Sequence, residues 1–402
     1  MAELIARYDW VLSDKAMKET DLLACSNDTI LPTDVSRALA SLGSSLEFEY
    51  DLTHLRTAEA ALGSLSCDGK TISKAILSDA VEYARDVLGS KAYAPWLWVY
   101  AASTGGFREG WIPDNYYGRW VVPNLKGDYG PLAGRRASSS LIFGGSFSPD
   151  LAYQINGRLF DSGLRQISGA ELKERVLNGI DEVVVKLDRS KRGNGIFFID
   201  VSDLEVERLQ AAGDLVLQRR VRQHASFDQF LSGPVSTLRL TTVVDEHGGT
   251  HLRSAMLRLP LFGQTHVMTV PGLQVAVELR TGYLLESGLG SDWRCHSTHP
   301  DSGFLFSGFQ IPNFAACREA VLLLHSKVPF LHCVGWDMAV DEQGAPVLLE
   351  VNAKHNGITF AEAATGPCFS GLRWEQLWQS GREYTERSKL LKPAAWQPRA
   401  SS

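Results

Sequence analysis

The sequence predicts an α+β protein in which a mostly helical N-terminal region precedes a core of antiparallel strands. Apolar residues recur at helical spacing in residues 38–48 and 72–88. After residue 181, short β-branched runs alternate with glycine-containing turns, which is typical of antiparallel sheets. The length of 402 residues indicates two or three domains.

The composition excludes several classes of protein. Hydrophobic residues make up 44% and charged residues 21%, as in an ordinary globular chain. A net charge of -6 offers no excess positive field, so no nucleic-acid partner is expected. The six cysteines form no CxxC pair, which disfavours a disulfide framework or a zinc site and favours a cytoplasmic location.

No targeting or membrane segment is predicted. The first ten residues carry charges where a secretory signal peptide needs an apolar run. The most apolar stretch, residues 320–336, is interrupted by charged and polar side chains, so no membrane span is expected. The sequence leaves the oligomeric state open, with a homodimer as one option.

The elements are expected in a definite order. Residues 93–147 are rich in aromatics and glycines and indicate a packed but irregular segment. A capping-box spacing at residues 168–171 predicts a short helix. Seven strands are then expected, at 182–187, 196–199, 215–219, 238–244, 251–259, 333–340 and 346–351. One further helix is expected at 313–327. The predicted division is a helical region at 1–95, an aromatic-rich α/β segment at 96–180, a core at 181–390 and a loose tail at 391–402.

Three oxygen-bearing side chains are expected to meet near the end of the core. Glu350 and Asn352 project from one face of a strand, because side chains alternate, and an antiparallel neighbour can bring Asp337 beside them. Mg²⁺ prefers such oxygen ligands and completes its shell with waters and phosphate oxygens. The alternative is a solvated hairpin. The apolar neighbours favour burial, which is costly for unpaired carboxylates, and so favour a metal site.

Two cations stand in apolar strands. Lys186 ends one strand and points at a basic loop containing Gly193 and Gly195, where ammonium and backbone N–H groups can surround a polyphosphate. Arg239 lies inside another strand, where a guanidinium is costly unless it meets a carboxylate or phosphate. A purely structural role stays open for both.

The ordered motifs between about residues 110 and 370 resemble the ATP-grasp superfamily, in particular its sugar-transfer-associated, α-L-glutamate ligase-related branch. In chain order they are Val-Val-Val-Lys186, Gly193-Asn-Gly195, Leu-Gln218-Arg219-Arg, Ser-Thr-Leu-Arg239, His299-Pro-Asp-Ser-Gly303, Gly308-Phe-Gln-Ile-Pro312, Gly-Trp-Asp337 and Leu-Glu350-Val-Asn352. The resemblance implies an ATP-grasp fold, in which two α+β subdomains hold ATP between them with Mg²⁺.

The resemblance also implies roles by position. Lys186 would contact the nucleotide phosphates and Arg239 the transferred phosphoryl group. The remaining implied contacts are the phosphate-covering loop at Gly193 and Gly195, the adenine hinge at Gln218, Arg219 and Val221, and the magnesium ligands Asp337, Glu350 and Asn352.

The implied activity is that of an ADP-forming carboxylate–amine ligase working through an acyl phosphate, in biosynthesis of a natural product or glycan. Its partners would be a small-molecule carboxylic acid and an amine acceptor. Two alternatives stay open: a phosphotransferase acting on a hydroxyl, and a non-catalytic nucleotide-binding protein. The chain departs from the family where Arg135 and Arg136 stand in place of an upstream lysine, and in residues 266–272.

Overall fold

The computed structural model describes residues 31–44, 48–143, 145, 147–188 and 195–379. These residues form two compact units. The first unit contains the described residues up to Asn124 and those from Gly366 onward, and the second contains Leu125–Thr365. The predicted tail at 391–402 and the predicted glycine Gly193 lie outside the described residues, and the predicted domain boundaries stay predictions.

The first unit is helical in its described part, as predicted. Its helices are α1 (Thr33–Gly43), α2 (Glu49–Cys67), α3 (Lys74–Asp86), α4 (Ala94–Thr104) and α5 (Asp114–Tyr116), followed by a π-helical turn (Tyr117–Val121) and α6 (Val122–Leu125). The prediction of an irregular segment from residue 93 is wrong for α4. Its first nine residues are all buried, so no amphipathic period marked it as a helix.

The second unit begins with α7 (Tyr129–Ala133) and α8 (Arg136–Phe143) and contains a small sheet. The strands of this sheet are β1 (Asp150–Ile155), β2 (Arg158–Asp161), β3 (Gln166–Ile167), β4 (Glu182–Leu187), β5 (Ile196–Asp200) and β6 (Leu215–Arg219). Their order is β3-β2-β1-β6-β4-β5, and all neighbours are antiparallel. Helix α9 (Gly169–Glu171) has the predicted capping box and continues into a π-helical turn (Leu172–Val176). The apolar face of the sheet packs against this turn and against α10 (Val206–Ala211).

A larger sheet completes the second unit. Its strands are β7 (Thr237–Val244), β8 (Thr250–Leu259), β9 (Leu273–Val277), β10 (Leu284–Gly290), β11 (Cys295–His296), β12 (Cys333–Val340) and β13 (Pro346–Asn352). The order is β11-β10-β9-β8-β7-β12-β13, again antiparallel throughout. Helix α11 (Phe314–Ser326) buries one side of itself in the core of this sheet, and α12 (Thr359–Thr365) follows β13.

The antiparallel α+β core is therefore confirmed. Seven strands and α11 lie where the sequence predicts them, within one or two residues at each end. The strands β1–β3 and β9–β11 were not predicted. Among the described residues, no helix combines the length and the apolar character needed to cross a bilayer.

Candidate active site

The predicted oxygen ligands meet on one face of the large sheet. Strand β12 lies between β7 and β13, and its Asp337 stands opposite Arg239 on one side and Glu350 on the other. Asn352 pairs with Gly335, two residues from Asp337 along the same strand. Since residues two apart share a face, the register brings the predicted side chains together.

Asp337 is the centre of this arrangement. Its buried carboxylate accepts hydrogen bonds from Nε and Nη2 of Arg239, the second at 2.9 Å, and from Nδ2 of Asn352 at 3.2 Å. Nη1 of Arg258 lies 3.7 Å away. Burial alone would raise the pKa of Asp337, but Arg239 and Arg258 hold it below its ordinary value, so the carboxylate is ionised.

A loop after β13 fixes Arg239 from the other side. Nη1 of Arg239 donates to the backbone carbonyl of Asn356 at 2.6 Å, and Nζ of buried Lys126 donates to Oδ1 of Asn356 at 2.8 Å. A Cβ at Gly335 would lie 2.7 Å from Cβ of Asn356, so glycine is needed for this approach. Burial lowers the pKa of Lys126 to about 8.

The small sheet supplies the opposite wall. Lys186 on β4 is buried, and its Nζ donates to the carbonyl of Leu349 at 3.4 Å, at the β-bulge of β13. Burial and then Arg136 lower the pKa of Lys186 to about 8. Nε2 of Gln218 on β6 donates to Oδ1 of Asp150 at 2.5 Å.

A cavity that is open to solvent lies between these walls, with about 410 Å³ of empty space when the adjoining solvent is included. It is lined by Gly134, Arg136, Ser139, Phe143, Ser148, Asp150, Gln218, Leu348, Leu349, Glu350 and Val351. The side chain of Arg136 is 12% exposed, and its Nη2 lies 3.5 Å from Oε1 of Glu350. Its buried Nε has no hydrogen-bond partner among the described residues. The cavity thus has a guanidinium with bonding capacity left over.

Positive charge is in excess around the cavity and the Asp337 centre. The cations are Lys126, Arg136, Lys186, Arg239 and Arg258, and the carboxylates are Asp150, Asp337 and Glu350. Burial, and then Arg239, lower the pKa of Arg258, as expected where cations are incompletely neutralised. Such a region attracts a polyanion.

The other predicted residues are placed differently. Gly195 immediately precedes β5, and its carbonyl accepts from the amide of Leu187 at 2.9 Å. Arg219 is exposed and, like Val221, does not line the cavity. Arg135 is 46% exposed and pairs with Asp188 at 3.0 Å, which leaves Arg136 as the guanidinium at the cavity.

Three contributing residues were missed. Arg258 had the same signal as Arg239, since it is a charged residue within an apolar run on β8. Lys126 and Asn356 stand in polar stretches, 230 residues apart in the chain, where nothing in the sequence marks them.

The donor set suits magnesium. Among the described residues, no three His, Cys, Asp or Glu side chains cluster as metal ligands. The predicted set differs from such a cluster because one of its members is an amide. Two carboxylates and an amide oxygen are hard ligands that Mg²⁺ accepts when phosphate or water completes its shell. The side chain of Glu350 is 41% exposed and lines the cavity, so it can share a metal with a bound phosphate.

Two antiparallel sheets that border one cavity, with α+β elements around each, form the ATP-grasp fold that the motifs predict. A sequence model of the sugar-transfer-associated ATP-grasp family matches residues 165–374, just over half of the chain. The chain belongs to this family. No curated protein matches its sequence.

Solved structures with detectable likeness are distant. The biotin carboxylase domain of 2-oxoglutarate carboxylase from Hydrogenobacter thermophilus, crystallised with MgADP, ADP and bicarbonate, is 15% identical, with TM-score 0.37, over 61% of this chain and 45% of that one. An L-amino acid ligase from Bacillus licheniformis is 13% identical, with TM-score 0.35, over 61% and 48%. The D-cycloserine synthetase DcsG is 17% identical, with TM-score 0.37, over 62% and 70%. This chain thus spans about half the length of the first two.

Proposed function

We propose that the protein is an ATP- and Mg²⁺-dependent, ADP-forming ligase. It joins a carboxylic acid to an amine through an acyl phosphate, in the biosynthesis of a natural product or glycan. The observation that carries the proposal is Asp337, a buried carboxylate bonded by Arg239, beside Glu350, which lines the cavity.

The nucleotide would lie in the cavity between the two sheets. Lys186 and Arg136 approach it from different elements, and both are largely buried cations with donors for phosphate oxygens. The end of β6 and the two residues after it, Gln218 to Val221, lead out of the small sheet and would meet the adenine. The loop that ends at Gly195 would cover the phosphates.

Asp337, Glu350 and Asn352 would hold the magnesium. When bound, the ion would neutralise charge on the phosphate groups. Independently of the metal, Asp337 keeps Arg239 in one orientation by accepting from two of its nitrogens. The guanidinium is thereby positioned in advance for the phosphoryl group that is transferred, which is the main way proteins assist phosphoryl transfer.

The chemistry has two steps, since a carboxylate is a poor electrophile. A carboxylate oxygen attacks the γ-phosphorus, the bond between that phosphorus and the bridging oxygen breaks, and ADP leaves. The amine nitrogen then attacks the acyl carbon, phosphate leaves with the bonding electrons, and the nitrogen loses a proton. The chain has to orient the reactants and exclude water, and no protein nucleophile is needed.

The test is turnover of Mg-ATP with a panel of carboxylic acids and amines, followed by measurement of ADP and by product mass. We expect ADP and a condensed product from the wild type, and a loss of about 10²–10³-fold or more in Asp337→Asn. Glu286→Gln is the control, because Glu286 is exposed on β10.

Two outcomes would contradict the ligase proposal. One is the absence of ADP with every pair of substrates. The other is an Asp337→Asn variant as active as the wild type. A stable phosphorylated product would instead indicate the phosphotransferase.

A further inference from the structure

Arg258 occupies a place next to Arg239 that the proposed roles do not use. It lies on β8, two residues after Met256, and Met256 pairs with Arg239 on the neighbouring strand β7. The two arginines therefore share the site face of the large sheet. Their guanidinium groups converge on one carboxylate, because Nη1 of Arg258 lies 3.7 Å from Oδ2 of Asp337.

The bonding capacity of Arg258 is unused. Arg239 already binds Asp337 through two of its own nitrogens, and 3.7 Å is too long for a hydrogen bond. Within the described part of the chain, this loose contact is the only ion pair of Arg258, and its guanidinium makes no hydrogen bond there. Yet the side chain is only 16% exposed. A guanidinium that is mostly covered and makes no hydrogen bond is costly. Since none of its nitrogens is among the fully buried atoms without a partner, they stay open to an anion that enters from solvent.

The surroundings suit a small polar anion. The register places Thr237 and Gln274 on either side of Arg258, on the same face of the sheet. The strand order β13-β12-β7-β8 puts Arg258 on the side of Arg239 that is away from Glu350 and the cavity. An anion at Arg258 would thus lie beside Arg239 without occupying the place proposed for the nucleotide.

We infer that Arg258 binds the carboxylate of the acid substrate and holds it next to Arg239. A guanidinium fork matches the two oxygens of a carboxylate, which a lysine ammonium cannot do to the same degree. The inference rests on the proposed function, because that function supplies an acid that must lie beside the transferred phosphoryl group.

The test measures anion binding without turnover. The melting temperature of the full chain is followed while acetate, succinate or inorganic phosphate is added at constant ionic strength, with sodium chloride as the balancing salt. A ligand that binds the folded state raises the melting temperature according to its concentration and affinity. The proteins are the wild type, Arg258→Met, Arg258→Lys and the control Arg280→Met, which removes an exposed arginine after β9.

We expect a carboxylate to stabilise the wild type and the Arg280→Met control equally. Arg258→Met should bind that carboxylate at least about tenfold more weakly, and Arg258→Lys should fall between them because the charge stays and the fork is lost. Calorimetric titration of Mg-ATP should give similar affinities for wild type and Arg258→Met. Failure of the wild type to bind Mg-ATP would refute the proposed function, whereas the carboxylate response tests Arg258 alone.

Three results would overturn the inference. The first is that no carboxylate stabilises the wild type, and the second is that Arg258→Met keeps the full carboxylate response. The third is that Arg258→Met loses only the phosphate response. If Arg258→Met does not fold, Arg258→Lys decides the question, because an unchanged carboxylate affinity in that folded variant would equally exclude the assigned role.

Discussion

Lys186 links the charge of the site to pH. Burial and the neighbouring Arg136 bring the pKa of Lys186 to about 8, and a bound polyphosphate would favour the charged ammonium. Binding should therefore take up a proton once the pH exceeds about 8. We expect the affinity for Mg-ATP to fall above that pH by up to about tenfold per pH unit. Calorimetry between pH 7 and 9.5, in buffers of different ionisation enthalpy, measures both the affinity and the proton uptake.

Two variants separate Lys186 from the other buried lysine. Lys186→Met should bind Mg-ATP weakly and without this pH dependence. Lys126→Met should keep the dependence, because Lys126 has a similar pKa of about 8 but bonds Asn356, whereas Lys186 contacts Leu349, a residue that lines the cavity. An unchanged pH dependence in Lys186→Met would show that another group takes up the proton.

His325 makes the stability of the fold depend on pH in the acidic range. Its Nε2 lies 2.6 Å from the carbonyl of Leu331, which can only accept, so Nε2 carries the proton. Its Nδ1 lies 2.6 Å from Oγ1 of Thr242, which accepts from Nε1 of Trp336 at 2.7 Å. The Thr242 hydroxyl therefore donates to Nδ1, and the folded protein holds a neutral imidazole. Burial lowers the pKa of His325 to about 4.

The sign of the effect follows from the proton balance. Between about pH 6.5 and 4 the unfolded chain binds a proton at this histidine and the folded chain does not. The contribution of His325 to stability is therefore complete above about pH 6.5 and is lost as the pH falls. Between pH 7.5 and 4.5 the free energy of unfolding should drop by roughly 2–3 kcal/mol more in the wild type than in His325→Gln. Urea unfolding at both pH values measures the difference, and equal drops would contradict the assignment.

At the scale of elements, strand β12 depends on a glycine. A methyl group at Gly335 would meet Cβ of Asn356 at 2.7 Å, so Gly335→Ala must push the following loop away. That movement would also break the 2.6 Å hydrogen bond from Nη1 of Arg239 to the backbone carbonyl of Asn356. We expect Gly335→Ala to lower the free energy of unfolding by about 1–3 kcal/mol and to weaken Mg-ATP binding.

The matched control for this glycine is Gly106→Ala. An added Cβ at Gly106 meets nothing within 4 Å, so the same chemical change should leave stability and binding nearly as they are. Thermal melting and calorimetry of both variants check the prediction. Equal effects in the two variants would show that the loop does not depend on close packing at Gly335.

The strands show what the sequence could reveal. Alternation on β13 correctly placed Glu350 and Asn352 on one face, since the side-chain period of a strand is fixed. The hairpin of β1 and β2 was missed, although the Asn156-Gly157 turn, with positive φ at both residues, is the strongest short hairpin signal. By contrast, the β-bulge that brings the carbonyl of Leu349 to Lys186 has no sequence signal.

The candidate site was predicted in the same uneven way. Asp337 and Arg239 were identified because charged residues in apolar strands need partners, and the register makes them partners of each other. The same reasoning applied to β8 would have added Arg258. Asn356 could not be predicted, because its contact with Arg239 is made by a backbone carbonyl, which every residue has.

At the scale of the whole molecule, the net charge and the site have opposite signs. The chain carries -6 overall, while the site holds more cations than carboxylates. The net charge of the whole chain therefore gave no indication of the charge at the site. Local burial of a few cations around Asp337, and not the overall charge, is what makes this region attractive to a polyanion.

The second unit contains everything that the proposed nucleotide site needs. Both apolar cores, one beneath each sheet, are built from residues between Ala133 and Ala353, and all the candidate site residues lie within Leu125–Thr365. At its start, the carbonyl of Leu125 accepts from the amide of His332 at 3.1 Å, which ties that end to the large sheet.

We therefore expect the fragment Leu125–Thr365 to unfold cooperatively and to bind Mg-ATP within about threefold of the full chain, since a unit with its own core can fold alone. Calorimetry and urea unfolding of the fragment and the full chain, each with an Asp337→Asn counterpart, make the comparison. A folded fragment that binds no Mg-ATP while the full chain does would show that the first unit contributes to the nucleotide site, and an unfolded fragment would show that the second unit depends on the first for its stability.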